Sequence, residues 1–346
     1  MLKYTEEYEK GIEATIEHVP DIELLKNSKI LITGACGLIC SALVDTLMEL
    51  NVKHHFNMSV YAAGRSKEKF NDRFKHWNGQ NNLSFFQYNA MEPINSKIKF
   101  DYIIHGASNA NPDMYMTQPV ETMLANILGV NYLMKYMIST QKARFLYISS
   151  SEVYGKKKSG AQYKEEDYSY LDILNPRACY PSSKRAAETL CAAYKEEYNI
   201  DYVVVRPGHI YGPTMTASDN RASSQFPRAV KAGENIVMKS EGSQLRSYCY
   251  VLDCTSAILT VLVKGKTGEA YNISNKNSIV TIRQMAEMFA KTSNKKLCFE
   301  IASIDESKSY NLMNNSSLCG KKLEELGWKG IYDLETGVRS TLASLV

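Results

Sequence analysis

Short, largely apolar runs separated by helix-length segments fill residues 30–206, and this alternation leaves the chain few ways to fold. The runs are Ile30–Thr33, Ser59–Ala63, Leu83–Tyr88, Tyr102–Gly106, Arg144–Ser149 and Tyr202–Arg206. Between them the spacing predicts helices over Leu38–Leu50, Val120–Met137 and Pro181–Tyr198, and a charged segment over Ser66–Lys75. Strands this short and apolar have no face to give to water, so they belong to a parallel sheet covered by helices on both sides. The predicted class is α/β, a doubly wound parallel sheet whose ligands sit beyond the carboxyl ends of its strands. Ahead of it, residues 1–28 place Tyr4, Tyr8, Ile12 and Ile16 at helical spacing and read as an N-terminal helical extension. Past residue 212 the alternation weakens. Residues 213–246 and 267–346 are expected to form a smaller C-terminal α/β lobe, with 247–266, including a helix over Asp253–Val263, returning to the main sheet.

The first strand runs into Gly34-Ala35-Cys36-Gly37, and a helix begins at Leu38. Glycine at the first two positions of such a turn permits a tight bend and close backbone approach to a pyrophosphate, while the helix aims its first amides at that charge. The main unit, residues 29–212, therefore reads as a dinucleotide-binding (Rossmann) domain. Gly34, Gly37, Leu38 and Ile39 are candidate cofactor contacts. The third glycine of the pattern is replaced by Cys40. The second strand continues into Ala62-Ala63-Gly64-Arg65-Ser66, with no acid to hold a ribose 2′-hydroxyl. A guanidinium there can pair with a 2′-phosphate, so Arg65 points to NADP, with NAD held by other contacts as the alternative.

A second constellation lies between residues 148 and 184. Tyr180 precedes Lys184 by four residues, so the two share a helix face, and Ser150-Ser151-Glu152 ends a strand upstream. Taking the proton from a carbinol during hydride transfer needs a base. A free phenol, with a pKa of about 10, is too weak an acid to supply one at neutral pH. A neighbouring ammonium and a nicotinamide cation both favour the phenolate, so Tyr180 and Lys184 form a candidate catalytic pair with Ser150 on the same substrate oxygen.

Taken together, these segments resemble the extended short-chain dehydrogenase/reductases of the nucleotide-sugar epimerase, dehydratase and decarboxylase group, over nearly all of residues 29–335. Further matches are Leu124–Asn131, Arg206–Pro213, Gly242–Ser247 and Tyr250–Asp253. The resemblance implies a nucleotide-diphosphate sugar as substrate, oxidised at C4, in a substrate lobe where Arg246 lies near the diphosphate. Arg221, His209 and Ser108 are further candidate substrate contacts, with Arg228 a weaker one. It also implies that Lys184 clamps the nicotinamide ribose and that Ala107 and Asn126 lie against the cofactor. Dehydratases of the group resemble Thr-Asp-Glu at the strand end, where the Asp protonates the departing hydroxyl; Ser151 stands there instead, so dehydration is disfavoured. UDP-glucuronate decarboxylases resemble Thr-Ser-Glu, and Arg177-Ala178-Cys179-Tyr180, Lys184–Thr189 and Asp219–Phe226 look closest to that branch. Pro181 and Ser182 stand where those enzymes carry acids, and His209 stands where they carry Asn. The reading is a decarboxylase or 4-epimerase, with Glu152 as a proton donor or relay. A 4,6-dehydratase, and a dinucleotide-binding sensor or scaffold without turnover, are the alternatives. Relatives pair the helices Val120–Met137 and Pro181–Tyr198 across a homodimer, for which Ile127, Leu133, Leu190 and Ala193 offer apolar surface.

The bulk properties fit this reading. Of 346 residues, 44% are hydrophobic and 23% charged, the balance of an ordinary globular protein. The net charge of +4 is small and scattered, and Lys156-Lys157-Lys158 reads as a solvated loop, so no nucleic-acid partner is expected. The eight cysteines contain no CxxC pair, and Cys36 and Cys40 would collide with cofactor phosphates if they held a metal. No metal is expected. No apolar run approaches the ~20 residues of a membrane span, and the charged N-terminus does not resemble a signal peptide, so the expected location is cytoplasmic, with free thiols.

Overall fold

The computed structural model describes residues 4–110, 112–140, 143–157, 160–302 and 313–345. Its centre is an all-parallel seven-stranded sheet built from β1 (Lys29–Thr33), β2 (Ser59–Gly64), β3 (Leu83–Gln87), β4 (Tyr102–His105), β5 (Arg144–Ile148), β6 (Tyr202–Pro207) and the later β10 (Ala270–Ile273). The strand order is β10-β6-β5-β4-β1-β2-β3. β1 pairs with β2 on one side and β4 on the other, with Ile32 facing Ala62 and Ile104 in register. The chain therefore reverses its direction of winding at β1, and the crevice beyond its carboxyl end is where such sheets bind ligands. Along β6 every residue is buried, which is what coverage on both faces requires.

Helices α1 (Glu6–Ile16), α2 (Leu38–His54), α3 (Lys67–Arg73), α4 (Pro112–Thr117), α5 (Pro119–Thr140) and α6 (Cys179–Tyr198) surround this sheet. One face packs against α2 and α8 (Val251–Lys264), where Leu43, Leu47, Ile258 and Leu262 join Ile30, Ile32 and Val205. The other face packs against α5 and α6 through Val130, Leu133, Met134, Ala187 and Cys191. Leu133 is wholly buried in that core, so it is not available to the dimer face for which the sequence offered it. α1 is tied down by Asp45, a fully buried carboxylate of α2 that accepts from Tyr8 Oη (3.1 Å), Trp77 Nε1 (2.9 Å) and the Arg73 guanidinium. A buried carboxylate without such donors would cost several kcal/mol, roughly.

At Gly208 the chain leaves the sheet for a second one. β7 (His209–Tyr211) pairs with β9 (Leu245–Tyr250), which also pairs with β11 (Ile279–Thr281) and β13 (Asn315–Ser316). A Cβ at Gly208 would overlap the Ser247 backbone, so glycine allows the close crossing. α7 (Ala222–Lys231), a two-stranded ladder of β8 (Ile236–Met238) and β12 (Leu297–Phe299), and α9 (Ile282–Ser293) complete this region. One strand falls where the sequence expects the smaller lobe: β10 joins the main sheet, with Tyr271 opposite Val205. Four residues flanked by polar segments carry little periodic signal, and only the tertiary partner β6 reveals the strand.

Candidate active site

The turn after β1 is built from backbone. Gly34 has φ +69°, and a Cβ there would sit 2.9 Å from the Ala107 backbone, so only glycine fits without moving the next strand end. Gly37 caps α2 and faces the Gly34 carbonyl across the turn. Leu38 and Ile39 open the helix, the first buried and the second partly exposed. Cys40 is buried, and its sulfur fills the space that a side chain on Gly106, at the end of β4, would need. The third glycine is thus displaced across the crevice. Burial pushes the Cys40 thiol up to about 12. Ala107 donates its N–H to Thr33 Oγ1 (3.2 Å), which also bonds His105 Nδ1 (2.7 Å). Arg65 lies exposed just past β2, alongside the turn.

Several polar atoms around this crevice are buried and carry no partner among the described residues, including Asn126 Oδ1, Ser108 Oγ, Ser149 Oγ and Tyr147 Oη. Asn126 is anchored through its Nδ2 to Thr122 O and Ser183 Oγ, both at 3.0 Å, which leaves its oxygen free to accept. Buried polar groups left open in this way are what a polar ligand satisfies.

Tyr180 and Lys184 sit on the first turns of α6 and are buried together. Lys184 Nζ lies 5.7 Å from the centre of the Tyr180 ring, 4.7 Å from that of Tyr147, and donates to Ile148 O at 2.8 Å. Burial pushes this ammonium down to about 7. Burial also holds the Tyr180 phenol up, at about 12, with the Glu152 carboxylate adding to the rise; hydrogen bonding from Ser150, the Arg221 charge and the Tyr115 hydroxyl pull it back. The sequence reading joined Lys184 to a nicotinamide cation as the pair that lowers this phenol; among the protein's own groups burial is the largest influence, and it raises it. Ser150 caps the short turn Ser151–Tyr154 and accepts from Glu152 N (3.1 Å). Ser151 is buried beside it.

Glu152 does not stand alone. Arg177 grips it with both Nη atoms, at 3.1 and 3.3 Å. Arg221 is forked onto Asp219, with Nε to Oδ1 at 2.9 Å. Arg246, on β9, is only 2% exposed, and its one hydrogen bond among the described residues is to its neighbour's carbonyl, Leu245 O (3.0 Å). No carboxylate among the described residues pairs with it, and burial holds it below the usual guanidinium range. His209 lies opposite Tyr248 in the β7–β9 pairing, its Nδ1 buried without a partner among the described residues. Burial, Arg246 and Arg221 together keep its imidazole neutral, well below the usual histidine range. Arg228 is spent on the carbonyls of Ala217 and Asp219. Beside it, a cavity of about 400 Å³ is lined by Gln225, Phe226, Arg228, Ala229, Asn235 and Val237.

Two side chains that no sequence pattern singled out lie beside these groups: Tyr115, stacked on Tyr180, and His105, bonded to Thr33 and held neutral down to about 3 by burial. Asp219, the anchor of Arg221, stood in a matched string without a role of its own. Arg177 was visible only as part of a matched string. Its partner lies twenty-five residues upstream, a pairing that no local spacing encodes.

A dinucleotide turn, a Tyr–Lys pair over a hydroxyl-rich strand end, and a separate cationic face define a nicotinamide-dependent redox fold. The sequence profile of the NAD dependent epimerase/dehydratase family matches residues 30–274, and the chain belongs to that family. It is similar to UDP-glucuronic acid decarboxylase 5 of Arabidopsis thaliana, at 31% identity over 90% of this chain and 87% of that one. UDP-glucuronic acid decarboxylase 1 of Xenopus tropicalis is 30% identical over 91% of this chain and 71% of its own length. Among solved structures, the UDP-glucuronic acid 4-epimerase of Bacillus cereus, in complex with UDP-glucuronic acid and NAD, superposes with a TM-score of 0.77, at 20% identity, over 92% of this chain and 98% of that one.

Proposed function

We propose that the protein is a nucleotide-sugar enzyme that oxidises its substrate at C4 and then decarboxylates it, as on UDP-glucuronate, with 4-epimerisation as the second outcome of the same oxidation. The observation that carries this is the meeting of Tyr180, Ser150 and the Arg177-paired Glu152 in one buried cleft that also draws on Arg221, while Arg246 stands buried without a counter-ion among the described residues. A dinucleotide fits the crevice that Gly34 keeps open and that Asn126 Oδ1 and Ser149 Oγ leave unsatisfied; when bound, it supplies the hydride acceptor and donor. Gly37, Leu38 and Ile39 present the helix N-terminus to the pyrophosphate, Ala107 lines the opposite strand end, and Lys184 reaches the nicotinamide ribose. Arg65 gives NADP its preference over NAD.

Tyr180 takes the proton of the C4 hydroxyl, and Ser150 bonds the same oxygen. Arg246 holds the diphosphate, with Arg221, His209 and Ser108 around the sugar, and the cavity at Phe226 gives room for the nucleoside end. A C4 ketone is the electron sink for loss of a C5 carboxylate, and that leaving group needs no acid. Ser151 is too weak an acid to protonate a departing hydroxyl, which disfavours dehydration. Glu152, held by Arg177, relays the proton that returns to C5. The protein works as a homodimer through the outer sides of α5 and α6, where Met123, Leu124, Ile127, Leu190 and Ala193 reach the surface.

The deciding experiment incubates the protein and dinucleotide with UDP-glucuronate and with neutral UDP- and dTDP-hexoses, and reads products by mass spectrometry. Carbon dioxide and a UDP-pentose are the expected result. An equilibrium of two epimers selects the second outcome. A 4-keto-6-deoxy sugar overturns the reading of Ser151, and absence of turnover on every sugar overturns the function.

A further inference from the structure

Tyr115 lies on α4, outside every motif of the chain, yet its ring is stacked on that of Tyr180, with centroids 4.6 Å apart and planes 16° from parallel. It is 3% exposed. The Arg177 guanidinium sits over the Tyr115 ring, 4.7 Å from its centre, and the same guanidinium forks Glu152. The Cys179 thiol, next to Tyr180 in sequence, donates to the Tyr115 carbonyl at 3.7 Å, so α4 is fastened to the start of α6 at the level of the base. Arg177, Tyr115 and Tyr180 therefore form one packed group, with a carboxylate at one end and the reacting phenol at the other.

We propose that Tyr115 is a positioning residue for the base: its hydroxyl donates to the Tyr180 oxygen beside Ser150, and its ring fixes the plane in which that oxygen meets the substrate. This rests on the role given to Tyr180 above. A phenolate is stabilised by each hydroxyl that donates to it, and two donors from different elements also fix its direction. The guanidinium over the Tyr115 face draws electron density from the ring and makes its hydroxyl a better donor. Two adjacent phenols must not compete for the same charge. Burial first, then the charges of Tyr180 and Glu152, hold Tyr115 well above the ordinary phenol range, so it keeps its proton while Tyr180 gives one up. The other groups facing Tyr180 are Glu152, which opposes its ionisation, and Arg221 and Lys184, whose positive charges favour it.

The test is Tyr115→Phe, which keeps the stacked ring and removes the donor. Tyrosinate absorbance of the dinucleotide-loaded protein, with a Tyr180→Phe spectrum subtracted, reports the ionisation of Tyr180 without any sugar substrate. The expected result is an upward shift of roughly one pH unit, the worth of one lost hydrogen bond to the charged form. The rising limb of kcat against pH should move by the same amount, so that turnover below the limb falls about tenfold while the plateau above it is kept. Tyr115→Leu should show the same shift plus a lower melting temperature. A Tyr115→Phe protein whose Tyr180 titrates as in the parent overturns the proposal, whatever its rate. A shift in the spectrum without turnover on any nucleotide sugar upholds Tyr115 and rejects the proposed function instead.

Discussion

The crevice beyond β1 and the cationic face on β7 and β9 are built on opposite principles. The crevice binds with backbone: Gly34 and Gly37 clear a path, and the helix behind them offers its amides. The cationic face is made of long side chains, with Arg177 and Arg221 brought to Arg246 from neighbouring segments, and two of these are already engaged, Arg177 by Glu152 and Arg221 by Asp219. Arg246 has no carboxylate partner among the described residues, and it is the one the proposed function assigns to an incoming anion. A backbone site is a matter of shape and is made by the fold. A side-chain site is a matter of charge balance, and its strength depends on which cations the protein has neutralised beforehand.

Tyr180 stands on the seam between the two regions, and its loss should produce the largest effect. Tyr180→Phe is expected to lower turnover by about 10²–10⁴-fold while dinucleotide affinity, read by calorimetric titration, stays as in the parent. A variant that turns over at the parental rate would remove the base from both regions. Next comes Arg246→Ala. The binding of a nucleotide diphosphate should weaken by about 10–100-fold, the worth of a charge-assisted contact of roughly 1.5–3 kcal/mol, with no change in dinucleotide affinity. Equal loss of both ligands would mean that the two regions are not separable. Gly34→Ala should act the other way. The strained φ costs roughly 1–2 kcal/mol, and the approach to the Ala107 backbone adds to it, so dinucleotide affinity and melting temperature should fall together. Arg65→Ala is the smallest. An exposed ion pair is worth up to about 1 kcal/mol, so NADP should weaken about fivefold against unchanged NAD. Equal effects on the two would leave Arg65 a surface charge.

The same contrast explains what could be read from the amino-acid order. Gly34, Gly37, Tyr180 and Lys184 are spaced along single elements, where helix and turn geometry fix who neighbours whom. The parallel sheet was legible for a similar reason, since its first six strands are short, largely apolar runs whose signal lies within each strand. β10 was not, because its four residues take their meaning from β6. Arg177 and Glu152, and Tyr115 and Tyr180, are relations between segments; residue type shows that a charge or a ring is present but not whether it is already spent. The rise that burial imposes on the Tyr180 phenol was hidden for the same reason, because burial is a property of the assembled core.

Cys40 and Gly106 carry one more lesson. The thiol and the missing side chain occupy one another's room, so the pair behaves as a single slot shared by two segments. A search pattern that insists on glycine at position 40 discards this chain, although the helix and the strand still approach closely because the second segment yields the space. Exchange should therefore be reciprocal. Gly106→Ala alone forces the new methyl into the sulfur, whereas Gly106→Ala combined with Cys40→Gly restores the fit with the filled side reversed. What a dinucleotide turn demands at this point is an amount of emptiness, and the chain is free to choose whether the helix or the strand end supplies it.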